Sequence, residues 1–597
     1  MAPNGTASTG NTNTTAAARN ATAPISKPIS PALENRLLGQ YLLVICGAVA
    51  LAMLLYRAVY VLNRHVRTVT SLQNDTQRYY ARADPQMSWI KRNLIYAPLV
   101  HKRHNREIQL SSAVNIGTLP TRLQLLFIAA YFATNIVFCF LDIQYHTNFA
   151  SAAAQLRNRT GTLAVVNMIP LFLMAGRNNP LIAWLNMSFD TFNLLHRWFG
   201  RIAIFEVLVH TLSYFIPNVG TKGWAATFHS AVSVPFIMFG FIGTICFIVI
   251  GIQAMSPLRH AFYETFKILH IVLAAVSVMG VYYHLKIEHF SQLTYVFPVI
   301  AIWIVDRAAR FLRVVYHNVG HGGTRTLVEA LPGNACRVTV TMARAWTFQP
   351  GQHAYLYFPS VGLWQSHPFS VAWSEEGEVL DNNDNKLAMH RQDVLALRKT
   401  SMSFVIRGRT GMTAKLYKKA SETADGRWTT SCLVEGPYGG LHQMRSYGTV
   451  MLFAGGVGVT QAVPHVRDLV VGYANGTVAT RKIVLVWIIQ SPEHLEWIRP
   501  WMTQILAMDK RRDVLRIMLF VSRPRSTKEI HSPSATVQMF PGRPNIDTLL
   551  GIEMENQVGT MGVSVCGPGA LSDEVRRAVR QRQYQGSIEF VEEAFSW

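Results

Sequence analysis

Apolar positions gather into long runs up to about residue 306, and into short runs broken by turn residues beyond it. The long runs cover 37–62, 122–142, 161–176, 190–215, 231–253, 264–285 and 291–306. A helix of about 20 apolar residues crosses the hydrocarbon of a bilayer, so these runs predict seven membrane spans. Between 318 and 440 the short runs and their Gly/Pro turns predict a small antiparallel β-barrel. After residue 440, strand patterns at Val450–Ala454, Lys482–Ile489, Val514–Val521 and Gly562–Val565 alternate with helical ones, which predicts a parallel α/β domain.

Charge orients the spans. Arg57, Arg64, Arg67, Arg78, Arg82, Lys91, Arg92, Lys102, Arg103 and Arg106 follow the first run and hold much of the net charge of +22. Such a cluster could bind nucleic acid, but the excess of basic residues in cytoplasmic loops explains it better, and no nucleic-acid partner is expected. The N-terminus is then outside, 63–121 inside, and Asp306-Arg307 inside again after the seventh span. Residues 1–36, rich in Asn, Thr, Ala and Ser, have no apolar signal-peptide core and are expected to form a disordered outer tail. Asn4, Asn13, Asn20 and Asn158 open glycosylation acceptors on the outer side, whereas the one at Asn74 falls inside. The six cysteines are scattered, which excludes a zinc motif or a disulfide framework. The expected architecture is a tail (1–36), a helical transmembrane domain (37–309, core about 160–306), a β-barrel (318–440) and an α/β nucleotide-binding domain (441–597).

Two pairs of histidines stand out within the spans. His196 and His210 are 14 positions apart, and so are His270 and His284. Fourteen residues bring a side chain back to nearly the same helix face, roughly 21 Å along the axis. The fourth and sixth spans cross in the same direction, so His196 levels with His270 near the inner surface and His210 with His284 near the outer. One buried histidine is as often a satisfied core residue, but the repeated spacing calls for another cause, since ionisable groups inside a bilayer are expensive. Two imidazoles per level suit the two axial positions of low-spin haem, hence two haem b groups. His229 and His289 fall in outer loops and read as solvated or substrate-side.

In the α/β half, Gly455, Gly456 and Gly458 with Thr460 form a strand-to-helix turn, where bare backbone and a helix N-terminus can receive a pyrophosphate. Ser522 and Arg523, with Arg525, follow another strand and could hold the 2′-phosphate of NADP; an exposed basic turn explains them equally well. The terminal Trp597 either covers a flavin ring or packs in the core.

The order of motifs resembles the fungal ferric reductase family, kin to the NADPH oxidases, over nearly the whole chain from about residue 120. The motifs are Leu195-His196-Arg197-Trp198, Phe266-Lys267-Ile268-Leu269-His270, His367-Pro368-Phe369-Ser370, Gly436-Pro437-Tyr438-Gly439, Gly455-Gly456-Val457-Gly458 and Cys566-Gly567-Pro568. The resemblance implies a bis-haem membrane domain joined to a ferredoxin-reductase-like FAD and NADPH module. It implies axial ligation by His196, His210, His270 and His284. It implies FAD contact by His367, Pro368, Phe369, Ser370, Gly411 and Thr413, and NADPH contact by the Gly455–Thr460 turn and by Cys566, Gly567 and Pro568. Arg177 and Arg201 are expected to pair haem propionates. The implied activity carries electrons from cytosolic NADPH to ferric chelates or siderophores outside, with cupric ion as a further acceptor. The implied setting is the plasma membrane (alternatively the vacuolar membrane) beside an iron permease/oxidase uptake system. The equal 14-residue spacings favour this over the rival, an NADPH oxidase making superoxide. A haem-bearing scaffold without transfer chemistry would need no flavin motifs.

Overall fold

The computed structural model describes residues 30–72, 74–104, 119–146, 148–320, 323–344, 346–362, 365–378, 398–524, 532 and 534–593. The tail sequons at Asn4, Asn13 and Asn20, and also Arg106, Arg525 and Trp597, lie outside them.

Seven long helices make the apolar half: α1 Pro31–Ser71, α2 Arg122–Phe140, α3 Phe149–Ala175, α4 Phe189–Ser233, α5 Pro235–Gln253, α6 Tyr263–Ile287 and α7 Leu293–Asn318. Their starts are encoded locally. Ser30, Thr121, Asn148 and Ser188 each accept a first-turn N–H, and Thr121 completes a reciprocal capping box with Gln124. Among the described residues, α1, α2, α4, α5 and α6 are long and apolar enough to cross a membrane. Their outer faces carry exposed Leu51, Leu55, Ile245, Val272 and Ile268, as lipid-facing surfaces do. Glycines let α5 and α6 approach closely: a Cβ on Gly280 would meet the Phe239 carbonyl at 2.9 Å and the Gly243 nitrogen at 3.2 Å.

α3 differs from its sequence reading. It begins at Phe149, not at 161, and takes in Asn158 and Arg159, which were expected in a loop. Arg159 is buried because its charge is met: it pairs with Glu34 at 2.5 Å, bonds Asn35, and donates to the Phe138 and Leu141 carbonyls at 3.0 and 2.9 Å. Thr160 is fully buried and donates to the Leu156 carbonyl, so Asn158 stands on a regular helix and not in an open acceptor loop. α4 runs on to residue 233, well past the expected 215, interrupted at Gly223, whose φ of 79° is non-helical.

The barrel half contains β1 Arg325–Leu331, β2 Ala335–Thr341, β3 Gln352–Tyr357, β4 Ser366–Ser370, β5 Trp373–Glu378, β6 Arg398–Arg407, helix α8 Gly411–Ser421, β7 Arg427–Thr430 and β8 Leu433–Gly439. They form antiparallel sheets in the orders β5-β6-β2-β1-β7 and β4-β3-β8 around Val338, Leu356, Phe358, Phe404 and Ile406. The last domain holds β9 Thr449–Gly455, α9 Val459–Ala474, β10 Lys482–Ile489, β11 Leu515–Val521, β12 Val537–Pro541, β13 Met561–Cys566, α10 Gly569–Gln581 and β14 Ile588–Glu592. Its six strands are parallel in the order β12-β11-β10-β9-β13-β14. β9 is wholly buried, as a central parallel strand should be.

The basic segment after the first span is more than an inner loop. α1 continues below the apolar zone, and the chain through residue 104 lies along the α/β domain. Tyr60 donates to Glu589 at 3.0 Å, the Gln77 side chain to the Ala479 carbonyl at 2.6 Å, and Ser88 to the Gln583 carbonyl at 2.7 Å.

Candidate functional site

The four span histidines meet in two pairs. The ring centroids of His196 and His270 are 6.2 Å apart, and those of His210 and His284 are also 6.2 Å apart. His196 Nδ1 lies 3.0 Å from the Leu171 carbonyl, His210 Nδ1 2.8 Å from that of Arg157, and His284 Nδ1 2.8 Å from that of Phe236. A carbonyl only accepts, so these Nδ1 atoms carry the hydrogen and each Nε2 keeps its lone pair. That is the tautomer a metal-binding imidazole needs. His270 Nδ1 is buried without a partner.

Glycines make room for the outer pair. A Cβ on Gly161 would meet His210 Nδ1 at 2.6 Å, and one on Gly240 would meet His284 Nδ1 at 2.7 Å. In both cases the accepting carbonyl, Arg157 or Phe236, is four residues before that glycine. Each outer ring therefore lies in a notch of the neighbouring helix, bonded to the carbonyl one turn away. Phe236 also stacks on His284 at 4.3 Å.

The barrel meets the helical bundle through a buried ion network. Glu435 on β8 is wholly buried; it accepts from Arg310 of α7 at 3.0 and 3.2 Å and from Tyr438 at 2.7 Å, bonds Tyr357, and lies 3.5 Å from Arg177. Burial pushes the Glu435 carboxyl up, but the Arg310 and Arg177 guanidiniums outweigh it and hold the group down at about 2. Arg177 also stacks over Tyr355, 3.5 Å from the ring centre. Both of these contacts are with the barrel. Arg201 stacks on Trp198 at 4.2 Å. A cavity of about 420 Å³, a usual size for a ligand pocket, opens at this junction beside Arg177, Arg197, His353, Tyr355 and Glu593.

His367, Pro368, Phe369 and Ser370 form most of β4, on the edge of the sheet against β3. His367 Nε2 lies 3.5 Å from Glu264 Oε1 at the start of α6, six residues before His270. The motif is thus set against the helix that carries the inner histidine. Gly411 opens α8 with φ of 60°, where a side chain would be strained. Thr413 accepts the Arg409 N–H and donates to the Thr410 carbonyl, closing that turn.

The glycine turn sits at the carboxyl ends of the parallel strands. The chain order runs from β9 through β10 outward one way, and β13 and β14 lie on the other side, so β9 and β13 flank the switch point where such sheets bind ligands. Backbones touch there. A Cβ on Gly458 would meet the Cys566 carbonyl at 2.2 Å, one on Gly455 would meet Pro568 at 2.6 Å, and one on Gly567 would meet Gly455 Cα at 2.9 Å. Gly456 has φ of 57°. Gly455, Gly456, Gly458, Cys566, Gly567 and Pro568 are therefore one surface. Thr460 uses its hydroxyl on the Val457 carbonyl. Burial pushes the Cys566 thiol up to about 12, which keeps it neutral. Ser522 and Arg523 stand at the end of β11, one parallel strand beyond β10; the Ser522 hydroxyl donates to the Ile489 carbonyl at 3.0 Å and Arg523 is exposed.

Three family models match in succession: "Ferric reductase like transmembrane component" over residues 160–281, "FAD-binding domain" over 322–442, and "Ferric reductase NAD binding domain" over 447–580. The chain belongs to the ferric reductase family. It is 26% identical over 524 residues to ferric/cupric reductase transmembrane component 1 of Candida albicans, covering 81% of this chain and 63% of that one. It is 27% identical over 520 residues to ferric reductase transmembrane component 3 of Saccharomyces cerevisiae, covering 81% and 68%. A solved Amycolatopsis cytochrome P450 reductase aligns with 45% of this chain and 69% of its own at 15% identity, with a TM-score of 0.29.

In this ferric reductase family member the membrane-domain match takes in His196, His210 and His270 but ends before His284. The FAD-binding match takes in His367–Ser370, Gly411, Thr413 and Glu435, and the NAD-binding match takes in the glycine turn, Arg523 and Cys566-Gly567-Pro568. Sequence reading missed Gly161, Gly240, Glu264 and Glu435. Glu435 stands directly before the quoted Gly436-Pro437-Tyr438 motif, and two basic positions near span ends, Arg177 and Arg310, were available as partners.

Proposed function

We propose that this chain carries electrons across a membrane from NADPH, through FAD and two haem b groups, to ferric chelates or siderophores on the far side, with cupric ion as a further acceptor. The observation that carries it is the two facing histidine pairs, in which His196, His210 and His284 have their Nδ1 hydrogens tied to carbonyls and their Nε2 atoms left with a free lone pair. Two metal–imidazole bonds of roughly 2 Å each, with the half-rings behind them, occupy about the spacing seen at both levels. His196 with His270 would hold one haem and His210 with His284 the other. Bound there, the flavin and haems supply the change from hydride to single electrons that the residues cannot perform.

The residues position, exclude and select. The Leu171, Arg157 and Phe236 carbonyls fix the imidazoles. Glu435, Arg310 and Arg177 dock the barrel against the inner end of the bundle, and Glu264 fixes His367 there. His367, Pro368, Phe369, Ser370, Gly411 and Thr413 would hold FAD. Gly455, Gly456, Gly458, Thr460, Cys566, Gly567 and Pro568 would hold NADPH, with Ser522 and Arg523 favouring the 2′-phosphate over NADH. The basic segment after α1 supports an inside location for the soluble half and an outside N-terminus, in the plasma membrane (alternatively the vacuolar membrane). Delivery to an iron permease/oxidase system would follow from that placement.

Anaerobic stopped-flow spectroscopy of membranes given NADPH tests this. Haem that reduces and is then reoxidised rapidly by ferric chelate and slowly by dioxygen is the expected outcome. Fast reoxidation by dioxygen with superoxide would make the chain an oxidase. Haem that never reduces with FAD bound would reject the path.

A further inference from the structure

Between the two histidine levels the apolar bundle contains a polar island. Glu206 of α4 has no exposed surface. It lies ten residues after His196 and four before His210, roughly 15 Å and 6 Å along the axis. Asn167 of α3 donates to its two carboxyl oxygens at 2.9 and 2.8 Å, and to Asn135 Oδ1 at 2.7 Å. Tyr131 donates to Asn167 Oδ1, and Asn135 donates to the Tyr131 carbonyl at 2.8 Å. Asn135 and Asn167 are also wholly buried, and Tyr131 stacks on Phe199 at 3.8 Å. Tyr131 belongs to a buried apolar cluster with Leu163, Val166, Ile202 and Ala203.

Among the described residues no cation pairs with Glu206. The titratable groups that act on it are Tyr131 and Cys139 of α2, with Cys46 of α1 beyond Tyr131, none of them basic. α3 offers the Asn167 amide; its Arg159 is eight residues further out and already bound to Glu34. On its own helix the neighbour is His210. An ionised carboxylate left among neutral donors in a low-dielectric interior costs several kcal/mol. A group kept at that cost inside a membrane points to function.

The missing positive charge has a source that comes and goes. With two neutral imidazoles, the iron–porphyrin centre has one net positive charge when ferric and none when ferrous. Four residues from His210, that charge would favour carboxylate in the oxidised state and remove the reason for it in the reduced state. We propose that Glu206 is a redox-linked proton acceptor for the outer histidine level. Glu206 takes one proton from solvent, forming a carboxyl O–H, as each electron arrives there. It releases that proton as the electron leaves for the external acceptor. The buried region thus stays near neutral through each cycle. This inference rests on the haem reading of His210 and His284.

Redox titration of the purified full-length holoprotein at a series of pH values tests it. One proton per electron changes the reduction equilibrium tenfold per pH unit, about 59 mV for a one-electron couple. The outer haem midpoint is expected to fall with that slope over part of the neutral range, to lose the slope in Glu206→Gln, and to keep it in Glu206→Asp. A flat wild-type midpoint, or an undiminished slope in Glu206→Gln with haem content intact, would overturn the proposal. If Glu206→Gln does not assemble, redox-difference infrared spectra of wild-type protein with isotope-labelled glutamate decide. A glutamic acid carbonyl band must appear on reduction, and its absence rejects the assignment. Protein that binds no haem at all would reject the reading of the histidines instead.

Discussion

Glu435 on the FAD-binding barrel accepts a hydrogen bond from Arg310, in the C-terminal half of α7, at 3.0 Å. The pair joins the barrel to the helical bundle. Its carboxylate is depressed to about 2 from an ordinary 4.5, so its stabilising contribution is complete above about pH 4.5 and disappears as the pH falls toward 2. Glu435→Gln removes the charge and leaves two guanidiniums against a buried neutral group, which should cost about 3 kcal/mol. We expect normal haem content, easier thermal dissociation of the barrel from the bundle, and slower NADPH-driven haem reduction in stopped flow. Unchanged reduction and unchanged melting would show that other contacts dock the barrel.

Gly161→Ala and Gly240→Ala should each damage the outer histidine level. Alanine normally stabilises a helix by about 1 kcal/mol relative to glycine. Here the added methyl would overlap His210 or His284 Nδ1 at 2.6 or 2.7 Å, and helix backbone holds it in place. The imidazole must then leave its carbonyl. Pyridine haemochrome assay should show about half the haem lost, and reduced-minus-oxidised spectra of the intact protein should keep the signal of the His196/His270 level. Gly47→Ala, with nothing within 4 Å of the new Cβ, should keep the full complement.

The 14-residue spacing could be read from sequence because a helix converts separation into height and face. The buried strands β9 to β11 could be read because parallel strands have apolar runs of a fixed length. What could not be read depended on partners far along the chain. Arg159 resembles a span boundary until Glu34 and Asn35 neutralise it, and Arg67 and Arg103 resemble loop charges until Glu589 and Glu592 appear beside them. Gly161 and Gly240 look like ordinary helix glycines, since the imidazoles that need their space come from other helices. Glu206 was hidden for the same reason: its donor Asn167 is 39 positions away.

Arg523 offers a direct test of nucleotide choice. It is exposed at the carboxyl end of β11, where no carboxylate competes for it among the described ion pairs. A charge-assisted bond to the 2′-phosphate is worth about 1.5 kcal/mol or more, a tenfold effect. Arg523→Ala should therefore raise the KM for NADPH about tenfold and leave the KM for NADH unchanged, measured as flavin reduction. An equal rise for both nucleotides would place the residue in structure and not in selection.

Glu589 of β14 fastens the segment after α1 to the NAD-binding domain. It accepts from Tyr447 at 2.6 Å and Tyr60 at 3.0 Å, and lies 3.6 Å from Arg67 and 3.8 Å from Lys91. Burial pushes its carboxyl up, but Lys91 and Arg67 outweigh that and hold it below its ordinary value. Glu589→Ala strands the buried Arg67 and the half-buried Lys91 and should cost about 3 kcal/mol, which raises the population of the detached segment roughly a hundredfold. Limited proteolysis between residues 57 and 104 should accelerate by about that factor, because cleavage follows the open population when opening is fast. Asp75→Ala is the matched control. Its ion pair with Arg481 is shorter, at 2.7 Å, but Asp75 is 86% exposed, so solvent already screens it and cleavage should barely change. Equal acceleration in both variants would mean that the segment is held by its apolar contacts and not by the buried carboxylate.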